Sequence, residues 1–146
     1  MANEILTYSK AISYPDFGDR LKYLSLWDKG YDSPRTMSNP FYHSPAWYAC
    51  RDAVITRDLR WDLGIKDLEI AGKVIVHHIN PLTEEDIEYN SDKLFDLENL
   101  ITVSVETHNR IHYAPRMDDF IEQHKTNPWL IDIAKKLNLN VVACLS

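Results

Sequence analysis

The sequence predicts an α+β fold, and three observations lead to that class. Apolar residues recur at helical spacing around residues 15–30, 46–61 and 106–113. Two short apolar runs, at 69–78 and 100–105, have the length and composition of strands. The 146 residues, 45% of them hydrophobic, supply enough apolar material for one packed domain. We therefore expect a single domain that spans the whole chain.

The first predicted helix lies at 15–30 and ends in a glycine. Its apolar residues at helical spacing are Phe17, Leu21, Leu24 and Trp27. The segment 31–45 is rich in proline, serine and asparagine, which favours a loop or an extended arm. Residues 1–45 are accordingly interpreted as an N-terminal helix and arm.

Ser44 and Pro45 predict the start of a second helix, over residues 46–61. Serine is a preferred N-cap residue, and proline fits the first helical turn because its missing N–H would have no partner there. The apolar stripe expected on this helix consists of Trp47, Cys50, Ala53 and Val54.

Two strands and an acidic connection are predicted next. Residues 69–78 are typical of a hairpin strand with Gly72 near its turn, and 100–105 of a second strand. Between them, residues 84–98 carry seven acidic side chains against Lys93 alone, which accounts for the whole net charge of −6. This segment is most simply a solvated crossover loop.

The period of the apolar residues changes again after the second strand. Residues 106–113 predict a helix that ends before Pro115, and two further helices are predicted at 114–125 and 127–138. The last helix has an apolar side that either closes the fold or meets a second copy of the chain. The oligomeric state therefore stays open.

Composition excludes several classes of protein. No apolar run approaches the length that crosses a bilayer, and the polar N-terminus lacks a secretory signal pattern, so we expect a soluble, cytoplasmic protein without a membrane partner. Cys50 and Cys144 form no C-x-x-C pair, so this chain alone cannot build a cysteine zinc site. The negative charge argues at first against a nucleic-acid partner, but residues outside 84–98 are neutral in sum.

Four histidines form a pattern that predicts a metal site. His77 and His78 are adjacent at the end of the first predicted strand. His108 and His112 are four residues apart, so in a helix both rings project from one face. Neutral imidazole is the commonest metal ligand. One histidine of the adjacent pair can complete a three-imidazole pocket, and the other is then available as a base.

Three short segments carry a resemblance to a known family. HHINPL, DLENL and THNRIHY, all between residues 77 and 113, resemble the His-Asn-His (HNH) nuclease motif. A looser likeness over 15–115 is to small HNH proteins of phages of Gram-positive bacteria, which implies the cytoplasm of the bacterial host. The resemblance implies a ββα-metal (His-Me finger) core at 69–114, flanked by α-helices, with 115–146 forming C-terminal helices.

The resemblance also implies a role for each polar residue of the motif. His77, His108 and His112 become ligands of one divalent metal ion, and His78 and Asn99 become the catalytic pair. His78 is the implied general base, while the amide of Asn99 braces the loop between the strands. The implied reaction is hydrolysis of DNA phosphodiester bonds, with Mg²⁺ or Mn²⁺ in the cell. Three imidazoles also suit Zn²⁺ or Ni²⁺.

The chain departs from the wider family at the structural zinc. Many HNH proteins carry two C-x-x-C pairs, whereas the matching positions here are Arg60 with Leu63 and Ser104 with Thr107. We therefore expect no structural zinc ribbon, and apolar packing in its place. The residues expected in that core are Trp47, Trp61, Leu63, Ile75, Leu100, Ile101 and Ile111.

The candidate DNA contacts are Arg51, Arg57, Arg60 and Arg110, because a guanidinium group matches the geometry of phosphate. Pairing of these arginines with the many surface acids is an equal alternative. Two other functions stay open. One is a phage accessory protein that keeps the HNH fold to bind packaging proteins or a host defence protein, with little cleavage of its own. The other is a structural metalloprotein without a nucleic-acid role.

Overall fold

A computed structural model describes residues 4–29 and 39–113 of the chain. Within these ranges the protein contains helices and one two-stranded antiparallel sheet, which confirms the α+β class. The elements in chain order are α1 (Tyr8–Ile12), α2 (Phe17–Leu24), α3 (Pro45–Arg57), β1 (Val74–His78), α4 (Glu84–Glu88), β2 (Leu100–Ser104) and α5 (105–113). The helices predicted at 114–125 and 127–138 lie outside the described residues.

The N-terminal part has two short helices, whereas the sequence predicted a single short amphipathic helix over 15–30. Asp16 caps α2, since its side chain accepts a hydrogen bond from a backbone N–H of the first turn. The predicted continuation to residue 30 was wrong, because the chain leaves the helix after Leu24 and the N–H of Leu26 donates to the carbonyl of Ile111 (2.9 Å). Trp27 consequently lies in a turn and is 47% exposed. The sequence did not predict α1, which is too short to show a period.

Helix α3 begins where the sequence predicted. Ser44 accepts a hydrogen bond from the N–H of Trp47 (3.2 Å), and proline occupies the first turn. The helix ends at Arg57 instead of residue 61, because the backbone turns into the left-handed region at Leu59, with φ of 55°. Trp47 is buried as expected, whereas Ala53 was wrongly placed on the buried stripe and is exposed.

The strand predicted over 69–78 is shorter in the structure and begins at Val74. In a longer strand, the carbonyls of Ile70 and Gly72 would accept hydrogen bonds from the backbone of a neighbouring strand. Here they accept hydrogen bonds from the guanidinium of Arg60 (3.0 Å each). The segment that leads into β1 is therefore bound by a side chain and does not extend the strand.

Strands β1 and β2 pair antiparallel, with His77 opposite Ile101 and His78 opposite Leu100. Successive side chains of a strand point to opposite faces, so the two adjacent histidines lie on different faces of the sheet. All five residues of each strand are buried, which requires both faces to be covered.

Each face of the sheet is covered by its own apolar cluster. The residues of β1 and β2 that share a face with His77 pack with α1, α2 and Ile111 of α5. On the face of His78, Val76 and Leu100 pack with Tyr42 and α3. Six of the seven predicted core residues are buried, and the exception, Trp61, is half-buried.

Buried carboxylates cover the outer edge of β2. The N–H of Thr102 donates to Asp58 (2.9 Å), and the N–H of Ser104 donates to Asp62 (3.1 Å). Arg57 donates to the carbonyl of the first residue of the strand (2.7 Å). Unpaired backbone groups at a sheet edge are thus satisfied by side chains. The expectation that apolar packing alone takes the place of a zinc ribbon was incomplete for this reason.

The acidic connection between the strands contains a helix that the sequence did not predict. Helix α4 starts with a capping box, in which Thr83 accepts from the N–H of Asp86 and the Asp86 side chain accepts from the N–H of Thr83. Acidic residues in its first turn also favour the helix, since negative charge there complements the helix dipole. Among the residues described, no helix is long and apolar enough to cross a membrane.

Candidate metal centre

Three imidazole rings meet between β1 and α5. One potential ligand atom from each of His77, His108 and His112 lies within 4.8 Å of the others. The Nε2 atoms of His108 and His112 are 3.2 Å apart. These three histidines therefore could hold a metal ion, and they are the set of ligands that the resemblance implies.

The local structure explains why these rings converge. His108 and His112 are one helical turn apart on α5, so their side chains point from the same side. His77 projects from the sheet face that also contacts Ile111 of α5. The packing of α5 on that face closes the distance between positions about thirty residues apart in the sequence.

His77 carries the strongest sign of a missing partner. It is 3% exposed, and its Nε2 atom is fully buried with no hydrogen-bond partner among the described residues. A buried polar atom without a partner costs free energy, and proteins seldom leave one. A cation between the rings would give this nitrogen a partner.

The charge state of the cluster suits a metal ion. Burial, followed by the neighbouring rings of His108 and His112, lowers the pKa of His77 well below its ordinary value. Burial also lowers the pKa of His108 and of His112 to about 4. All three rings are consequently neutral at pH 7, and each has a lone pair to donate.

The spacing of His108 and His112 fits coordination. Nitrogens about 2.0–2.1 Å from a metal are about 2.9 Å apart at a right angle and about 3.3 Å apart in a tetrahedron. The observed 3.2 Å lies between these values. Without a metal, two neutral rings can meet at this distance only if one donates its hydrogen to the other.

His78 lies on the opposite face of the sheet, in an aromatic surrounding. Its ring stacks on Trp47, with centroids 5.1 Å apart, and Phe41 and Tyr42 are also neighbours. The ring is buried, and burial lowers its pKa to about 4. Sequence reasoning expected a ring that faces solvent or substrate, whereas most of this ring faces the core.

One hydrogen bond fixes the tautomer of His78. Its Nε2 atom is 3.0 Å from the carbonyl oxygen of Leu94, which can only accept, so Nε2 carries the hydrogen. The lone pair is then on Nδ1. This tautomer can accept a proton through Nδ1, as a general base must.

Asn99 ties together the two ends of the connection between β1 and β2. Its Oδ1 atom accepts from the backbone N–H and the side-chain amide of Asn80 (2.7 Å each). Its amide donates to the carbonyls of Asn80 (3.3 Å) and Lys93 (3.1 Å). These contacts are the ones that the expected bracing role requires.

Sequence reasoning missed Asn80 as the partner in this brace. Besides Asn99, its side chain accepts from the N–H of Leu6 (2.9 Å) and donates to the carbonyl of Leu6 (2.8 Å), which fastens the N-terminal segment to the loop. The signal available in the sequence was an asparagine before Pro81 at a strand end, a position that favours local hydrogen bonding.

Three of the four arginines expected to contact DNA have structural hydrogen bonds. Arg57 pairs with Asp58 (2.9 Å), donates to two carbonyls and lies over the ring of Tyr8. Arg60 donates to two carbonyls, and Arg51 to one. Arg110 lies on α5 with the two helical histidines. Contact of any of these arginines with phosphate stays a prediction.

Comparisons with protein-family models, with curated proteins and with solved structures give no match for this chain. Chemically, the described residues bring together a set of three neutral imidazoles and, on the other sheet face, a buried histidine of fixed tautomer.

Proposed function

We propose that this protein is a metal-dependent endonuclease of the HNH type, built on a ββα-metal core, that hydrolyses phosphodiester bonds in DNA. The observation that carries the proposal is the unpartnered, buried Nε2 atom of His77 beside the paired nitrogens of His108 and His112. The succession of β1, β2 and α5 around these rings supports the ββα part of the proposal.

In this proposal each motif residue has one task. His77, His108 and His112 bind a divalent cation, which would stabilise negative charge on the scissile phosphate and the leaving oxygen. The resemblance makes His78 the general base at Nδ1, and the carbonyl of Leu94 holds the ring in the required tautomer. This role requires the attacking water to reach a ring that is buried on the sheet face opposite the metal ligands. Asn99 keeps the loop that contains Leu94 in place.

The donor set and the resemblance to HNH nucleases point to different ions. Imidazole suits Ni²⁺ and Zn²⁺, while Mg²⁺ and Mn²⁺ prefer oxygen ligands. From the resemblance we propose Mg²⁺ or Mn²⁺ as the ion used in the cell, and from the donor set Zn²⁺ or Ni²⁺ as ions that the purified protein also retains. A cleavage screen over these metals separates occupancy from activity.

The decisive experiment measures relaxation of a supercoiled plasmid in Mg²⁺, Mn²⁺, Ni²⁺ or Zn²⁺. The wild-type protein should cleave, and His78→Ala should lower the rate by about 10²–10⁴-fold, the usual contribution of a general base. His43→Ala is the matched control, because His43 is an exposed histidine whose ring lies 3.4 Å from the hydroxyl of Tyr48. It should cleave at the wild-type rate.

If His78→Ala cleaves at the wild-type rate, His78 is not the general base. Absence of cleavage in every metal, with the protein folded and metal-bound, would remove the nuclease activity itself.

A second function is favoured by one specific observation. The guanidinium groups of Arg51, Arg57 and Arg60 are engaged with backbone carbonyls, which leaves the described part of the chain with a weak basic footprint for DNA. We therefore propose as the alternative an HNH-fold accessory protein that binds phage packaging machinery or a host defence protein. A folded, metal-bound protein that shows no salt-dependent mobility shift of DNA would favour this alternative.

A further inference from the structure

The junction between β2 and α5 is held by a buried carboxylate. Asp62 is fully buried in the turn Asp62–Gly64, which precedes β1 in the chain. Its Oδ1 atom accepts from the N–H of Ser104 (3.1 Å), and its Oδ2 atom accepts from the hydroxyls of Ser104 (2.8 Å) and Thr107 (2.7 Å). Three donors from one junction thus converge on a single side chain.

These hydrogen bonds act on the start of α5. The Oγ atom of Ser104 accepts a hydrogen bond from the N–H of Thr107 (3.1 Å), so Ser104 caps the helix. The Ser104 hydroxyl lies within hydrogen-bond distance of both Asp62 (2.8 Å) and the Thr107 hydroxyl (3.0 Å), and its oxygen has a lone pair for this cap. The Thr107 hydroxyl fastens the first turn of the helix to the same carboxylate.

The start of α5 determines where two imidazoles lie. Thr107 directly precedes His108, and His112 follows one turn later. A rotation of α5 by about 20° would move a nitrogen about 6 Å from the helix axis by about 2 Å. Metal–ligand distances tolerate only about 0.2 Å. The rotational setting of α5 is therefore decisive for coordination.

The same carboxylate also relates α5 to the third imidazole. Ser104 is the last residue of β2, and β2 pairs with β1 in the register that sets His77 opposite Ile101. By binding both the backbone N–H of Ser104 and the side chain of Thr107, Asp62 fixes the helix relative to the sheet that carries His77.

We propose that Asp62 is a positioning residue for the three-imidazole centre. It acts through Ser104 and Thr107, sets the affinity of the centre for a divalent cation, and does not touch the ion. This inference rests on the proposed metal centre, and its test is chosen so that the two can fail separately.

Asp58 offers a matched control on the same edge of the sheet. It is also a buried aspartate that accepts a hydrogen bond from a backbone N–H of β2, that of Thr102 (2.9 Å). Its other side-chain partners are Arg57, which belongs to α3, and Tyr8, which belongs to α1. Asp58→Asn therefore reports on loss of a buried carboxylate at this edge without a direct effect on α5.

The experiment titrates Co²⁺ into the full chain, followed by calorimetry and by the visible absorption of bound Co²⁺. Asp62→Asn and Thr107→Val should each weaken affinity by about 10-fold or more and change the absorption spectrum, as for partners that orient ligands. Thr107→Ser keeps the hydroxyl, and Asp58→Asn leaves α5 alone, so both should bind within about twofold of wild type. Circular dichroism at the titration temperature verifies folding.

Each outcome decides between the two proposals. Wild-type affinity and spectrum in folded Asp62→Asn would overturn the positioning role. If Asp62→Asn does not fold, equal affinities of Thr107→Val and Thr107→Ser would overturn it instead. Equal weakening by Asp58→Asn would also overturn it, since the effect would then be general. Failure of the wild-type protein to bind Co²⁺ would overturn the metal centre itself.

Discussion

The adjacent histidines of β1 have different surroundings on the two faces of the β1–β2 sheet. On one face, the Nε2 atom of His77 is buried without a partner beside two further imidazoles. On the other, the Nε2 atom of His78 has a carbonyl partner and its ring stacks on Trp47. One histidine is therefore suited to bind an ion, and the other is held as a single neutral tautomer.

This difference arises from the pleat of the strand. Neighbouring residues of a strand point to opposite faces, so a pair of adjacent histidines cannot both point at the same ion from within the strand. What each ring does is then set by the helix that covers its face, α5 for His77 and α3 for His78. The following predictions test this separation of the two faces.

The largest expected effect is the loss of metal binding in His77→Ala. Removal of a ligand should weaken Co²⁺ affinity by more than the ~10–100-fold that is typical for residues that only orient ligands. His78→Ala should retain wild-type affinity, because its ring lies on the other face. Calorimetric titration of both variants provides the measurement. Parallel loss of affinity in the two variants would show that the faces are not independent.

A large change in stability is expected for Trp47→Ala on the face of His78. Trp47 is buried against the His78 ring, and its truncation should cost about 3–5 kcal/mol through lost burial and a cavity. Tyr48→Ala is the control, since Tyr48 is 47% exposed and should change stability by less than about 0.5 kcal/mol. Urea denaturation measures both. A cost for Trp47→Ala as small as that of the control would contradict the packing described for this face.

Asn99→Ala should be less damaging to global stability. The change leaves the backbone N–H and side-chain amide of Asn80 without their acceptor, at a cost of about 1–3 kcal/mol. Hydrogen exchange should accelerate at the N–H of Asn80, because the connection between the strands loosens there. Denaturation and exchange measurements together test the brace, and unchanged protection of Asn80 would argue against it.

The smallest expected effect is that of pH on the affinity for the metal ion. The pKa of His108 and of His112 is lowered to about 4, and that of His77 is lowered as well, so these ligands are already neutral at pH 6. Co²⁺ affinity should be constant as pH falls from 7.5 to about 5.5, and should decline only towards pH 4, where protons compete for the nitrogens. Calorimetry in buffers of different ionisation enthalpy measures the protons released. Release of one or more protons per ion at pH 6.5 would contradict the lowered pKa values.

Several local features could be predicted from sequence because their causes are local. Ser44 and Pro45 mark the start of α3 by capping chemistry, and the spacing of His108 and His112 follows from the helical period alone. The ends of the elements depended on distant groups. The hydrogen bond from Leu26 to Ile111 and the contacts of Arg60 with the approach to β1 have no local signature.

The candidate site divides in the same way. The sequence indicated which residues are suited to bind a metal, but the roles of Asp62 and Asn80 depend on partners that are distant in the chain. An aspartate before an apolar residue gives no sign that three donors from another segment will meet it. The sequence also could not predict that Arg57 and Arg60 donate to backbone carbonyls, because a guanidinium group can bind phosphates and carbonyls alike.

By itself, the sequence determined the α+β class, the helical pairing of His108 with His112, and the opposite orientation of His77 and His78 once they lie in a strand. These properties follow from backbone periods, which each segment carries in its own residues. Only the tertiary structure decided that His77 faces α5, that His78 stacks on Trp47 and that Asp62 holds the junction of β2 and α5. Such contacts join residues far apart in the chain, and burial of both sheet faces fixes them together.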